Sequence, residues 1–198
     1  MKRLRLAFFG VVIAVVCSVL PDTAQAYPPR LPFTAVPDNQ VLQPTSGQSI
    51  FTIRHACPGA ARVLVNGVGY KAVNASRGYG SFSFGPMKPG KYTVTVKSCS
   101  EEATSIIYVP GALIIPQKHI VQRRLAIYIR YLPPGSVVSF LLAGKRVTTV
   151  APVRPGTNGV ARLLLPGATL KLGKNAVAFT VGTRIKISAQ ILGINAPK

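Results

Sequence analysis

The acid–base and metal-ligating side chains beyond residue 26 are few. They are His55 and His119, the carboxylates Asp38, Glu101 and Glu102, and the thiols Cys57 and Cys99. A catalytic centre combines a nucleophile, a base and an electrophilic partner within reach of one another. Glycoside hydrolysis needs two facing carboxylates. Glu101 and Glu102 are adjacent, and adjacent residues of a strand point to opposite faces. A Ser-His-acid triad would have to borrow Asp38, Glu101 or Glu102, and no Gly-x-Ser-x-Gly elbow is present. In Arg54-His55-Ala56-Cys57 a histidine and a cysteine lie two apart. A metal or thiolate site there would need a free Cys57 and a further ligand. His119 follows Lys118 in a basic stretch that continues to Arg123-Arg124. The expectation is a chain without catalytic residues, metal or cofactor.

Charge is the stronger chemical feature. The whole chain of 198 residues carries 24 Lys and Arg against four Asp and Glu. Residues 111–198 hold 13 basic residues and no carboxylate, whereas residues 27–110 hold eight basic and three acidic ones. A segment without acids cannot offset its own repulsion by internal ion pairs, and its surface attracts anions. The expected contacts are Lys118, Arg123, Arg124, Arg130, Lys145, Arg146, Arg184 and Lys186. The partner class is an anionic polymer, such as a cell-surface polymer or nucleic acid, or an acidic protein surface. Carbohydrate remains open, although tryptophan is absent. An evenly spread solubilising charge is the alternative to a binding face.

The elements that would position these groups are short and β-like. Residues 1–26 read as a cleavable signal peptide. Lys2, Arg3 and Arg5 precede an apolar run from Ala7 to Leu20, and Ala24-Gln25-Ala26 forms a cleavage site. Export to the periplasm, cell surface or medium follows, with no membrane-spanning segment in the mature chain. In an oxidising compartment Cys57 and Cys99 are expected to form a disulfide, two buried thiols being the alternative. Pro28-Pro29-Arg30-Leu31-Pro32 opens the mature chain as an extended segment.

Beyond it, β-branched runs alternate with Gly, Pro and Asn turns. Strands are expected near 34–43, 48–55, 61–66, 68–74, 80–85, 91–98 and 104–109. A second set is expected near 125–131, 136–143, 146–151, 160–165, 176–181 and 184–191, with an edge strand near 112–118. Asn66-Gly67 suits a type I′ hairpin turn. Arg77-Gly78-Tyr79-Gly80 lacks the strand–loop–helix setting of a phosphate loop and reads as a strand-edge turn. Asn74-Ala75-Ser76 is a formal glycosylation sequon. In Arg184–Ile191, Ile185, Ile187, Ala189 and Ile191 should face inward, with Arg184, Lys186, Ser188 and Gln190 outward.

Two sets of about seven strands, split at Val109-Pro110-Gly111, resemble a pair of tandem immunoglobulin-like β-sandwich domains over 27–110 and 111–198. One larger sandwich is the alternative. The resemblance is one of architecture and implies little about function. It places Cys57 and Cys99 at the same end of the first sandwich. Their strand parities differ, so a disulfide there would join loop ends or require a bulge. The function expected is a secreted, non-catalytic protein binding an anionic partner mainly through residues 111–198. The alternative is a structural or adhesive surface-assembly component.

Overall fold

In the N-terminal half, alternating burial builds two sheets. The computed structural model describes residues 31–114, 118–121, 123–142, 145–146, 155–165, 170–182 and 185–196. The signal-peptide reading of 1–26 and the expected contact Arg184 lie outside the described residues. No helix occurs among the described residues, and none is long and apolar enough to cross a membrane. The strands of this half are β1 (Thr34–Pro37), β2 (Ser49–Arg54), β3 (Gly59–Val65), β4 (Val68–Ala75), β5 (Tyr79–Phe84), β6 (Gly90–Ser98) and β7 (Glu101–Val109). In β2 burial alternates residue by residue, with Phe51 and Ile53 inward and Ile50, Thr52 and Arg54 outward. That period of two lets one strand serve a core and a wet face at once.

Sheet order is β1-β2-β5 and β4-β3-β6-β7. This is an immunoglobulin-like arrangement in which the fourth strand joins the sheet of the third, sixth and seventh. Phe51, Ile53, Phe82 and Phe84 of the first sheet pack with Val63, Val94, Val96 and Ile107 of the second in a single core. The β3–β4 turn is Asn66-Gly67, with φ of 51° and 81°. These positive angles are what a type I′ turn requires. The Asn66 side chain also accepts the Thr93 N–H at 2.9 Å, which fixes the hairpin to β6. Arg77 and Gly78, with φ of 51° and 82°, form the tight turn into β5.

The C-terminal half repeats the topology. Its strands are β8 (Gly111–Ile114), β9 (Lys118–Ile120), β10 (Leu125–Arg130), β11 (Val138–Leu142), β12 (Lys145–Arg146), β13 (Ala161–Leu165), β14 (Gly173–Val181) and β15 (Ile185–Ile194). They form sheets β13-β10-β8 and β12-β11-β14-β15-β9. A second core, distinct from the first, gathers Leu125, Ile127, Ile129, Phe140, Leu163, Phe179, Ile187 and Ile191.

The first strand of each half is split, where the sequence suggests one run. Near 34–43 the ladder with β2 ends at Pro37, which has no N–H to donate. The chain then crosses to the other sheet, where Val41 bridges Tyr108 in parallel. Leu42 donates to the Tyr108 carbonyl at 2.9 Å, and Tyr108 donates to the Gln40 carbonyl at 2.7 Å. Likewise the edge strand expected near 112–118 is two strands. β8 pairs with β10, and β9 pairs in parallel with β15. Of the strands expected near 146–151 and 184–191, Lys145–Arg146 and Ile185–Ile194 are seen, with residues 147–151 and 184 outside the described set.

Asp38 secures the first crossing. Its Oδ1 accepts the hydroxyl of buried Ser49 at 2.8 Å and the N–H of Ile50 at 2.9 Å. Burial alone would raise the Asp38 pKa. The hydrogen bonds from Ser49, Ile50 and Asn39 outweigh it and hold the carboxyl below its usual range. A depressed carboxyl stabilises the fold fully above its unfolded pKa and loses that stabilisation as pH falls through the folded value. Urea midpoints should therefore fall as pH drops below the ordinary carboxylate range. Asp38→Asn, which cannot ionise, should flatten that fall. An identical acid profile in the variant would contradict the role.

Candidate functional site

Asp38, Glu102 and His55 each make structural contacts. Asp38 holds the β1–β2 crossing. Glu102 sits across the β6–β7 ladder from Lys97, with Nζ and Oε2 3.0 Å apart. Both side chains are more than half exposed, so the pair contributes about 0.2–1 kcal/mol. His55, at φ 60°, packs its ring against Tyr79 with centroids 6.0 Å apart. No group of three or more His, Cys, Asp or Glu capable of holding a metal occurs among the described residues.

Cys57 and Cys99 are joined in a disulfide with Cα atoms 6.1 Å apart. It links the β2–β3 connection to the Cys99-Ser100 tip of the β6–β7 hairpin, so it ties loop ends. Positive φ at His55 and Cys99 turns each cysteine out of its strand's alternation, which resolves the parity mismatch. The Cys57 N–H donates to Ser98 Oγ at 3.0 Å, holding the two loops together beside the bond.

The cationic residues divide between surfaces. Arg130 and Arg162 lie exposed on the β8-β10-β13 sheet, where Arg162 pairs with Tyr128 in register, two residues from Arg130. Lys186 and Lys174 lie exposed on the opposite sheet. There β9 places Lys118 in register with Leu192, whose other neighbour is Lys174. Lys186 and Leu192 lie six positions apart on β15, about 20 Å of strand. Arg123 and Arg124 are exposed in the turn after β9. Lys145 and Arg146 pair with Leu142 and Leu141 in the short β11–β12 ladder.

Two of the expected contacts do converge. Arg130 and Lys186, from different sheets, both line a cleft of about 610 Å³ where the two halves meet. Gly111–Leu113 of β8 and Lys186–Ala189 of β15 form its walls, Tyr131 stands beside Arg130, and Gln43 and Pro44 reach in from the first half. Among the described residues no carboxylate lines it. Tyr131 has φ 60°, a conformation uncommon outside glycine. It also lines a neighbouring cleft with Tyr108 and Lys91. Two cations facing a groove without an acid can offer charge-assisted hydrogen bonds to an anion, each worth about 1.5–3 kcal/mol.

Gln43 is the residue that sequence reasoning missed. Its Nε2 donates to the Lys186 carbonyl, and its Oε1 accepts the Lys186 N–H at 2.9 Å. The side-chain amide thus occupies both backbone groups as a paired strand would. Val41, two residues earlier, packs against the second core. The segment after Pro37 therefore fastens one half to the other.

No protein-family model matches the sequence, and no curated protein matches it. Among solved structures, the chain is similar to the D0–D1 domain of intimin at 14% identity and TM-score 0.35, covering 82% of this chain and 97% of that one. It is similar to invasin, described as a bacterial integrin-binding protein, at 12% identity and TM-score 0.34, covering 85% of this chain and 40% of that one. It is also similar to the human OSCAR ligand-binding domain at 11% identity and TM-score 0.38, covering 84% of this chain and 99% of that one.

Proposed function

We propose that this chain is an exported, non-catalytic immunoglobulin-like protein that engages an anionic partner through its C-terminal half. The observation that carries the reading is the charge of residues 111–198, 13 cations without one carboxylate. The convergence of Arg130 and Lys186 on one acid-free cleft supports it. Export is supported by the N-terminal charge and apolar pattern and by the Cys57–Cys99 disulfide, a bond that persists in oxidising compartments. The engagement of Asp38 and Glu102 in strand contacts leaves little acid–base chemistry for catalysis.

Retention on a heparin column tests the proposal. At low salt the mature chain should be held and then released by added NaCl, because contacts to a polyanion weaken with ionic strength. A neutral polymer column should not retain it. Elution in the void volume of the heparin column would sink the reading.

A second reading, an adhesive or assembling surface component, is favoured by β4. This strand ends its sheet, pairs among the described residues only with β3, and exposes five consecutive residues, Val68–Ala72. An uncovered edge is a template for pairing with another chain, although Lys71 discourages it. Analytical ultracentrifugation discriminates. Self-association that disappears when Tyr70 is replaced by lysine would favour assembly, and a concentration-independent monomer would count against it.

A further inference from the structure

The cleft between the halves has a feature that charge alone does not explain, a strand edge along one wall. The backbone N–H and C=O of Lys186 both point away from β14, since Gln43 takes both. Antiparallel alternation turns the same groups of Ser188 to the same side. Pairing with β9 begins only at Leu192. Among the described residues Ser188 has no backbone partner on that side, and it lines the cleft. Gln43 shows that this edge accepts an amide in strand-like geometry. Across the groove stands Arg130, and Lys186 lies on the edge itself.

We propose that the cleft takes an extended acidic polypeptide segment of a partner protein, which adds to the β15 edge at Ser188 and pairs its carboxylates with Arg130 and Lys186. This rests on the anion-binding reading and specifies it. The main-chain hydrogen bonds give the segment its direction, and the cations select its charge. With the Lys186 edge taken by Gln43, the open stretch of wall around Ser188, Ile187–Ala189, has room for roughly two or three extended residues. Acidic residues at alternate positions meet that wall with the strand period of two. A sulfated glycan could meet the cations but has no alternating N–H and C=O to offer the edge.

Fluorescence anisotropy with the mature chain tests the inference, using a labelled octapeptide of alternating Glu and Thr as probe. A second peptide carries N-methyl groups at alternate positions, which preserve its charge and remove strand donors. A sulfated heparin hexasaccharide is the third ligand. The Glu–Thr peptide should bind, and N-methylation should weaken it by about tenfold or more. Arg130→Gln combined with Lys186→Gln should weaken it by a similar factor. Lys171→Gln combined with Lys174→Gln, exposed at the far end of the same half, should change it by less than about twofold. Thermal melts establish that each variant is folded.

Equal affinity for both peptides would overturn strand addition. Hexasaccharide binding without peptide binding would overturn the peptide assignment and leave the anion reading standing. Absence of binding to all three ligands would overturn both.

Discussion

Replacing Cys57 and Cys99 together by serine is expected to lower the unfolding free energy of the N-terminal half by about 4 kcal/mol. The bond closes a loop of 42 residues in sequence, and its main effect is to restrict the unfolded chain. The folded geometry should survive. The Ser98 hydroxyl still receives the N–H of residue 57, and the β6–β7 ladder still runs nine residue pairs from Gly90–Val109 to Ser98–Glu101. Denaturant unfolding of the double variant, followed by circular dichroism, measures the loss. A loss below about 1 kcal/mol would mean that the unfolded state gains little freedom when the link is removed. Domain stabilities are commonly about 5–15 kcal/mol, so the expected loss is a large share.

Phe51→Ala should cost a comparable amount, about 3–5 kcal/mol. Phe51 is fully buried, stacked on Phe82 with ring centroids 4.8 Å apart and set edge-on to Phe84 at 6.2 Å. Truncation removes apolar surface, leaves a cavity, and breaks two ring contacts that each add about 0.5–1.5 kcal/mol beyond burial. Its neighbour Ile50 points outward and is 53% exposed. Ile50→Ala should therefore change stability by no more than about 0.5 kcal/mol. Urea titration of the pair gives a direct contrast between adjacent positions. Equal effects would contradict the facing of β2.

Much of this fold could be read from short-range pattern. Alternation sets which face of β2, β6 and β15 is buried, and Asn66-Gly67 marks a hairpin, because both depend on residues close in sequence. Both split first strands were less legible. Pro37 marks the end of one ladder, but the switch of Val41 to the opposite sheet depends on Tyr108, 67 residues later. The disulfide parity depended on left-handed backbone at His55 and Cys99, which neither residue type demands. The site was legible only in part. Charge singled out Arg130 and Lys186 among the expected contacts, but their meeting at one cleft depends on two sheets closing over a common core. Gln43 gave no signal, since its partner Lys186 is 143 residues away and is held through its backbone, which carries no residue identity.

The proposed binding of anions by the C-terminal half rests on its charge. The most direct measurement is the affinity of the mature chain for a polyanion of known charge spacing, such as duplex DNA used as a physical probe, across a range of NaCl concentrations. Log K should fall linearly with log salt at a slope of about −2 or steeper if Arg130, Lys186 and neighbouring cations each displace a counterion. No binding at low salt, or an affinity independent of salt, would contradict the account.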